Sequence, residues 1–452
     1  MDRQVEDGRR LELDFAISLA SRPSQGVLIY AVGGPGYSGV AVADDYLATL
    51  DPKLVEHVDI VFFDQRGVGA SYGLQCPEAN GVFDLTVLTP DEPALATAAA
   101  EGFVRDCLAE LEHAEVLPHV GTDEAARDLE AFRKLIGSPR VWIYGESYGT
   151  QLAQRYATLF PESLKGVILD SPVDLTLELG AYYAAFTRGA EDLLQKVLRA
   201  CSASPDCASS MSGDPQVVLD DLWARAEAGP IQVEVTLEDG STVVRELNAA
   251  MLDAAAFFGL YTAEQRTHLL KALAAASHGD LAPLVELAYV DLGIDLGTGR
   301  GVSDPSWYGA AYYAINCLDY AVDGCPSAAA EGIMRDAAEF APRAPHFLRS
   351  YFAERLACAF WPERGAEPPP QPYLGGAFPT LILVGDSDPI TPISMATAIL
   401  REARNAYLVA VRGGGHITLG RGYGCSDAAV TAMVVDGALP SSEVTECATP
   451  LL

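Results

Sequence analysis

A serine between two glycines is the first feature of this chain that points to chemistry. The segment Gly145-Glu146-Ser147-Tyr148-Gly149 directly follows the apolar run 141–144, a predicted strand, and precedes a predicted helix. Glycines beside the serine permit the tight strand-to-helix turn that raises its hydroxyl above a sheet, with the positive end of the helix behind it. The five-residue pattern alone occurs by chance, but its position between strand and helix predicts that Ser147 is a nucleophile.

A serine nucleophile needs a base, and the chain has seven histidines. His416 follows the predicted strand 406–411 in a glycine-rich turn, at the carboxyl end of a strand, where the sites of α/β proteins lie. The sequence therefore predicts His416 as the base, against the simpler interpretation of a loop histidine bonded to backbone. The other six lie in helical or irregular polar segments and are expected to be exposed: His57, His113, His119, His268, His278 and His346.

The third group must be a carboxylate that orients the imidazole and stabilises its charged form. Asp388 follows the predicted strand 380–384 and stands 28 residues before His416, which leaves room for one helix and one strand. Asp386 in the same turn and Asp170, at the end of an earlier predicted strand, remain as alternatives. We therefore predict Asp388 as the acid of a serine, aspartate and histidine triad.

The oxyanion that forms during attack on a carbonyl needs hydrogen-bond donors. The backbone N–H of Tyr148, next to the predicted nucleophile, supplies one of them. The second is expected from the glycine-rich loop Gly33-Gly34-Pro35-Gly36 after an earlier strand, where Gly34 is favoured and Gly33 and Tyr37 are alternatives.

The same loop also matches a dinucleotide-binding pattern. Glycines at 34, 36 and 39 follow a predicted strand, and Asp59 or Asp64 comes some twenty residues later. Pro35 removes an amide that such a site would use, and a dinucleotide site would leave the serine, aspartate and histidine without a role. We therefore expect a hydrolase that needs no organic cofactor and no metal.

Strand and helix patterns alternate on both sides of a long helical segment, which predicts a mostly parallel α/β sheet. Residues 181–228 and 249–290 have helical periodicity and flank a hairpin that turns at Asp239-Gly240. A helix capped by Thr122 is predicted up to Gly137. Strands are predicted at 11–19, 27–32, 58–63, 140–144, 166–169, 380–384 and 406–411.

The order nucleophile, acid, base along the chain is that of an α/β-hydrolase fold. The predicted organisation is a first core part at 1–172, a large and mainly helical cap at 173–375, and a second core part at 376–452. A proline-rich stretch at 367–372 separates the cap from the second core part.

Composition excludes two classes of protein. The 452 residues include 62 acidic and 30 basic ones, a formal net charge of −32 that repels phosphate backbones and excludes nucleic acid as a partner. No apolar run approaches the roughly 20 residues that span a bilayer, so a membrane-spanning protein is not expected.

Nine cysteines, none of them in a C-x-x-C pair, predict disulfides in preference to a zinc or redox site. Cys201 and Cys207 are expected to close a short loop, Cys425 and Cys447 to fix the C-terminal segment, and at least one thiol to remain free. The charged opening residues lack a secretory signal. We interpret the chain as an exported protein whose leader is absent from this sequence, with a cytoplasmic enzyme containing reduced cysteines as the alternative.

Several segments resemble the prolyl-iminopeptidase and tripeptidyl-aminopeptidase family of α/β-hydrolases. They are GGPGYSG at 33–39, VFFDQRGVGAS at 61–71, YGESYGT at 144–150, LVGDSDPITP at 383–392 and GGGHITLG at 413–420. The C-terminal part resembles the tail of secreted tripeptidyl aminopeptidases of actinobacterial type, and the whole resemblance covers about 11–172 and 376–449.

The resemblance implies hydrolysis of peptide bonds near a free N-terminus, by Ser147 as nucleophile, Asp388 as acid and His416 as base. Two features depart from the family. Val32 occupies the position of the family's usual histidine before Gly-Gly-Pro-Gly, and the cap glutamates that bind the substrate amine in some relatives have no clear counterpart. Glu178 and Asp291 are weak candidates for that role. Arg66, in the family's Asp-Gln-Arg-Gly segment, is expected to anchor its loop.

Three alternatives remain at this stage. The Gly-Glu-Ser-Tyr segment also resembles serine carboxypeptidases, in which an acid at the position of Glu146 helps to hold a substrate carboxylate. The interpretation of Glu146 as a buried acid paired with a neighbour is equally favoured. A carboxylesterase would use the same triad on a small ester in place of a peptide. A binding protein on an inactive hydrolase fold would use none of these residues for chemistry.

Overall fold

An eight-stranded sheet and one hairpin are formed by the described residues, which are 10–322, 324–365 and 371–452 of a computed structural model. The strand order in the sheet is β1-β3-β2-β4-β5-β8-β9-β10. The strands are β1 Phe15–Ser18, β2 Val27–Ala31, β3 Asp59–Phe63, β4 Val141–Glu146, β5 Leu164–Asp170, β6 Ile231–Thr236, β7 Thr242–Leu247, β8 Gly375–Gly385, β9 Arg404–Arg412 and β10 Val444–Ala448.

The helices lie on both faces of this sheet and in a long segment between β5 and β8. They are α1 Ala43–Thr49, α2 Pro52–His57, α3 Pro77–Leu85, α4 Pro93–Glu110, α5 Thr122–Leu135, α6 Tyr148–Leu159, α7 Leu179–Ala203, α8 Pro205–Ser210, α9 Pro215–Ala228, α10 Ala249–Phe258, α11 Ala263–Ser277, α12 Ala282–Asp291, α13 Gly309–Asp319, α14 Pro326–Phe340, α15 Leu348–Phe360, α16 Ile393–Glu402 and α17 Gly424–Thr431.

Apart from the antiparallel pair of β1 with β3, the strands of the sheet run parallel, which confirms the predicted fold class. Every residue of β2 is buried, as expected for a parallel strand covered on both faces. Helices α5, α6 and α16 cover one face, and α1, α2 and α17 cover the other. The carboxyl ends of β2, β4, β5, β8 and β9 therefore meet at one edge.

The predicted strands are confirmed to within a few residues at their ends, and the hairpin β6–β7 lies where the Asp239-Gly240 turn predicted it. Strand β10 was not predicted, because three of its five residues are exposed, none is buried, and the segment shows no apolar run. The predicted cap of α5 is wrong. Gly121 is the N-cap, and Thr122 instead donates its backbone N–H to Asp319 at 2.9 Å.

Helices α7 to α15, together with the β6–β7 hairpin, form a mainly helical segment that we call the cap. Its helices form two apolar clusters, and one of these also includes α3 and α4 from before β4. The boundaries at 173 and 375 stay a prediction. Most of the proline-rich stretch at 367–372 lies outside the described residues.

Four disulfides link the cysteines of the chain in pairs: Cys76–Cys107, Cys201–Cys207, Cys317–Cys358 and Cys425–Cys447. The two predicted pairings are confirmed, and Cys325 remains free and exposed. Disulfides persist in oxidising compartments, so these four suggest an extracytoplasmic protein. Throughout the described ranges, helices that combine the length and the apolar character of a membrane span are absent.

The expected exposure of His346 is wrong, because this histidine is 8% exposed and lies inside the cap. Its Nδ1 lies 2.8 Å from Glu191 Oε1, its Nε2 lies 3.2 Å from Asp220 Oδ1, and its ring packs edge-on against Trp223. Burial lowers the pKa of His346, but the hydrogen bonds and charges of the two carboxylates outweigh burial and raise the pKa above its usual value. The partners are distant in sequence, so no local pattern reveals this contact.

We expect His346 to make the stability of the protein depend on pH. A histidine with a raised pKa in the folded state stabilises the fold below its unfolded pKa of about 6.5, and this stabilisation is lost as pH rises through the folded pKa. Thermal unfolding of wild type and His346→Gln should differ by about 1.5 kcal/mol at pH 5.5, and by less at pH 8.5. A difference that does not change with pH would contradict this role.

Candidate active site

Ser147 lies in the turn between β4 and α6, at the carboxyl edge of the sheet, where the sequence predicted a nucleophile. Its φ is +52°, a left-handed conformation that non-glycine residues rarely adopt and that often marks functional turns. A Cβ added at Gly145 would lie 2.1 Å from the Gly149 carbonyl oxygen, and one at Gly149 would lie 2.1 Å from that of Ala31. Both glycines are therefore required by close backbone contacts, and the turn has the geometry of a nucleophile elbow.

His416 and Asp388 form a buried hydrogen-bonded pair on the turns after β9 and β8. The Nδ1 of His416 lies 2.8 Å from Asp388 Oδ2 and 2.9 Å from Oδ1, and the two side chains are 5% and 0% exposed. Asp388 also accepts hydrogen bonds from Thr391 and from the backbone N–H of Ile390. This bonding fixes the carboxylate and leaves Nε2 as the histidine nitrogen that can act as a base.

Asp388 remains ionised in this environment. Burial raises the pKa of Asp388, but the charge and hydrogen bond of His416, together with the backbone donors, outweigh burial and hold the pKa below its usual value. A permanent carboxylate is what the imidazole needs in order to gain a proton during catalysis.

The turn that carries His416 is bonded to the segment next to Ser147. The backbone N–H of Ser147 donates to the Asp170 carbonyl at 2.9 Å, and the Asp170 carboxylate accepts from the backbone of Thr418 and Leu419. The next residue, Ser171, accepts a hydrogen bond from the Ile417 N–H through its hydroxyl. The end of β5 therefore joins the serine turn to the histidine turn.

The two alternative acids have other contacts. Asp386 accepts from the backbone N–H of Gly413 at 2.7 Å and pairs with Lys196 of the cap at 3.6 Å. Asp170 accepts from the Tyr144 hydroxyl at 2.9 Å and from the histidine turn, and burial raises its pKa to about 6. The carboxylate that contacts His416 Nδ1 is that of Asp388, so the structure favours the predicted acid over both alternatives.

The loop expected to supply the second oxyanion donor packs directly on the serine. A Cβ added at Gly33 would lie 3.0 Å from Ser147 Cβ, and Gly34 has a φ of +111°, which favours glycine. Tyr148 begins α6, so its N–H has no acceptor within the helix. The structure thus places Gly33 against the nucleophile, while the choice of Gly34, Gly33 or Tyr37 as the second donor stays a prediction. The exposed ring of Tyr37 packs on Trp307 of the cap.

This chain has Val32 in place of the histidine that precedes the loop in the family it resembles, and other contacts hold the loop 33–40. Asp64 accepts hydrogen bonds from the Ser38 hydroxyl at 2.8 Å and the Val40 N–H at 3.2 Å. On the cap side, the Ser38 N–H donates to Ser306 O and the Tyr308 N–H donates to Gly36 O, each at 2.9 Å. The loop is therefore fixed between the core and the cap.

Two further residues from the sequence analysis have structural contacts. The Arg66 guanidinium binds both carboxylate oxygens of Asp128, at 2.6 and 2.9 Å, which supports its predicted anchoring role. Glu146 is 1% exposed and accepts hydrogen bonds from the hydroxyls of Tyr30 and Tyr46, at 2.9 and 2.5 Å. Burial raises its pKa. Glu146 is thus a buried, paired acid.

A cavity of about 780 Å³ lies between the cap and the core. Thr122, Gln151 and Asp319 are among its lining residues, and the Thr122 hydroxyl lies 2.6 Å from the Tyr148 hydroxyl. Ser147 and His416 are not among the described residues that line it. Within the described ranges, clusters of three or more His, Cys, Asp or Glu side chains able to hold a metal ion are also absent.

Sequence reasoning missed the cap residues that contact the histidine turn. The Tyr261 carbonyl accepts a hydrogen bond from the His416 N–H at 2.9 Å, and its ring lies edge-on to the imidazole at 5.6 Å between centroids. Arg266, in the first turn of the helix α11 that follows Tyr261, is fully buried. The available sequence signal was an arginine within an alanine- and leucine-rich helix, which is weak on its own.

Comparison with known proteins extends the family resemblance of the sequence segments over most of the chain. The family described as "alpha/beta hydrolase fold" matches residues 26–209, and that described as "TAP-like protein" matches residues 344–447. Serine protease Hip1 of Mycobacterium tuberculosis is 26% identical over 428 residues, which are 92% of this chain and 80% of that protein. These matches confirm the resemblance inferred from the sequence segments.

Two other relatives have different activities in their names. Tripeptidyl aminopeptidase of Streptomyces coelicolor is 27% identical over 451 residues, which are 96% of this chain and 79% of that protein. Carboxylesterase B of Mycobacterium tuberculosis is 27% identical over 438 residues, which are 93% of this chain and 79% of that protein. The similarity therefore includes the sheet and the cap between its two parts.

Proposed function

Because the chain is a serine hydrolase of the α/β-hydrolase family, we propose that it hydrolyses peptide bonds near a free N-terminus, with Ser147, Asp388 and His416 as its catalytic triad. The contact of the buried Asp388 with His416 Nδ1, on a turn that the end of β5 joins to the strained turn of Ser147, is the observation that carries this proposal. The peptidase names of two relatives favour peptides as the substrate class.

The proposed reaction follows from these positions. His416 Nε2 removes the proton from the Ser147 hydroxyl as its oxygen attacks the substrate carbonyl carbon, and the backbone N–H groups of Tyr148 and Gly34 bind the oxyanion. The tetrahedral intermediate collapses as His416 donates its proton to the leaving amine, which leaves an ester on Ser147. Water, deprotonated by His416, then attacks this ester, releases the acid product and restores the serine.

An acidic residue of the cap is suited to bind the substrate's amino group. Burial raises the pKa of Asp291, at the end of α12, to about 7, with no cation among the described residues to offset it. Burial above all raises the pKa of Tyr261, and the charge of Asp291 is among the smaller contributions that add to it. Because Tyr261 contacts His416, we propose Asp291 as the ammonium site.

Matched substrates test the proposed function. We expect cleavage of a tripeptide anilide or a proline anilide with a free N-terminus, and at least tenfold slower cleavage of the same compounds with an acetylated N-terminus. The faster of the two free substrates then gives the length of the released fragment. Equal rates for free and blocked substrates would exclude recognition of the N-terminus.

Replacing Asp291 with asparagine is expected to raise KM for the free anilide about tenfold, with little change in kcat, because an ion pair with the ammonium group is lost. Since its pKa is about 7, the wild-type KM should also fall as pH rises through 7 and Asp291 ionises. Glu286→Gln, an exposed acid on the same helix, is the control. An unchanged KM in Asp291→Asn would contradict this assignment.

The name of Carboxylesterase B, a relative that covers most of this chain, favours one second candidate. A carboxylesterase would use the same triad on a short acyl ester, without the ammonium site. Cleavage of an acyl ester but of none of the anilides would support that function. The serine carboxypeptidase alternative is less favoured, since Glu146 is occupied by tyrosine hydroxyls.

The four disulfides also support a proposal about location. We propose that the natural protein is exported from the cytoplasm and acts on peptides outside the cell. Expression in a reducing cytoplasm should therefore yield protein with a lower thermal unfolding midpoint than expression with export.

A further inference from the structure

Arg266 of α11 contacts the turns of both the proposed acid and the proposed base. Its Nη2 donates to the carbonyl of Ser387, the residue before Asp388, at 2.5 Å. Its Nη1 donates to the carbonyl of Gly413, in the turn before His416, at 3.2 Å. Arg266 also donates to the carbonyl of Leu451, at 3.2 Å, and to that of Leu260, in the turn between α10 and α11, at 3.0 Å.

The burial of this guanidinium is costly. Arg266 is 0% exposed, and the four acceptors named above are backbone carbonyls, not carboxylates. Burial lowers its pKa, and the charges of Tyr423, Asp388 and Asp386 act in the opposite direction. A buried charge is weak evidence for added stability, because an apolar side chain of similar volume often stabilises a protein as well or better. What an apolar side chain could not do is connect carbonyls from three separate parts of the chain.

A second cap contact acts on the same turn. The Tyr261 carbonyl accepts from the His416 N–H, and a Cβ added at Gly415 would lie 2.0 Å from that carbonyl and 3.2 Å from Arg266 Nη2. The glycine before His416 is thus required because the cap approaches it so closely. The core also joins the two turns directly, since the Ser387 N–H donates to Gly414 O at 2.9 Å.

We propose that Arg266 is a positioning residue of the cap that sets the geometry of the Asp388–His416 pair. The cap would then contribute to catalysis as well as cover the site. This inference rests on the proposed roles of Asp388 and His416. Its five N–H donors in a rigid plane suit several carbonyls at fixed spacing, which lysine cannot reproduce. Without it, the Ser387 and Gly413 carbonyls lose their shared donor, and fewer hydrogen bonds hold the two turns in place relative to each other.

Two substitutions test the role of Arg266. Arg266→Met removes the charge and all donors and is expected to lower kcat by about 100-fold, the cost of a misplacement near 1 Å, with KM changed by less than about threefold. Arg266→Lys keeps the charge but not the planar donors and is expected to lower kcat by about tenfold. Unchanged kcat in Arg266→Lys would overturn the proposal, even if Arg266→Met fails to fold.

The pH profile of Arg266→Lys separates positioning from general stability. If the Asp388–His416 hydrogen bond is weakened while the nearby charge is kept, the imidazolium is less stabilised and the acid limb of kcat/KM should move to lower pH. Arg355→Met is the matched control, because Arg355 is a buried cap arginine that pairs with Asp336 and stacks on Tyr351. It should lower the unfolding midpoint and leave the acid limb in place.

Two outcomes would overturn the proposal. One is an acid limb in Arg266→Lys that coincides with that of wild type, and the other is an equal loss of kcat in Arg355→Met. Failure of the proposed triad, on which this inference rests, is recognised separately, since wild-type protein would then show no labelling of Ser147 by a fluorophosphonate. Failure of the peptidase function alone is recognised by a labelled protein that cleaves none of the anilides. If wild type is labelled and both Arg266 variants are labelled at the wild-type rate, only the positioning role is wrong.

Discussion

Replacing Ser147 with alanine is expected to lower kcat for the free anilide by about a millionfold while leaving the fold intact. Alanine removes the hydroxyl that attacks the carbonyl, so the route through an ester on the enzyme is closed. The Cβ and the backbone bonds of the turn remain, including the N–H of residue 147 to Asp170 O. Anilide release measures the loss, and the unfolding midpoint measures the fold.

Ser171→Ala is the matched control for this change. It removes a hydroxyl close to the site that accepts a hydrogen bond from the Ile417 N–H at 2.8 Å. Loss of one such bond costs about 1 kcal/mol, so activity should fall by no more than about tenfold. If Ser147→Ala retains activity within tenfold of wild type, Ser147 is not the nucleophile.

Replacing Asp388 with asparagine is expected to lower kcat by about 10⁴-fold, the second of the two largest effects. The amide cannot stabilise the imidazolium, and its NH₂ group facing His416 Nδ1 favours the tautomer whose Nε2 carries a proton and cannot act as a base. Substrate binding does not depend on Asp388, because its side chain is 0% exposed, so KM should change little. Steady-state kinetics at one pH separate the two parameters.

The same substitution at the two alternative acids is the control. Asp386→Asn and Asp170→Asn remove carboxylates that bind the backbone of the histidine turn rather than the imidazole. Each is expected to cost about 10- to 100-fold, as for a displaced catalytic group. A larger loss in either variant than in Asp388→Asn would move the role of the acid to that residue.

The nucleophile turn and the acid and base turns could be predicted because each is encoded locally. Ser147 lies between a strand and a helix in adjacent sequence, and Asp388 and His416 each follow an apolar strand by a few residues. In a parallel sheet the carboxyl ends of neighbouring strands meet at one edge, so locating three strand ends already places three side chains in one region. The mostly parallel sheet followed from the same alternation.

The predictions that failed depend on contacts between residues that are distant in sequence. His346 contacts Glu191 and Asp220, which are 155 and 126 residues away in sequence, so its burial depends on how cap helices pack. Thr122 was predicted to cap α5 from local preference, but Asp319, 197 residues away, binds it instead. Strand β10 has too few buried positions to show a periodic pattern.

The contacts of Arg266 were beyond sequence reasoning for the same reason. Its acceptors Ser387 and Gly413 lie 121 and 147 residues further along the chain. The sequence predicted a helical cap but not that one of its side chains joins two catalytic turns. Cap insertions of this kind therefore need to be examined for contacts with the triad as well as with substrate.

Labelling with a fluorophosphonate, followed by mapping of the modified peptide, tests the central claim most directly. The reagent traps a serine that a neighbouring histidine activates, whatever the natural substrate is. The account predicts one label per chain, on Ser147, absent in Ser147→Ala and at least 100-fold slower in Asp388→Asn. A label on another residue, or an active protein that takes no label, would contradict the proposed triad.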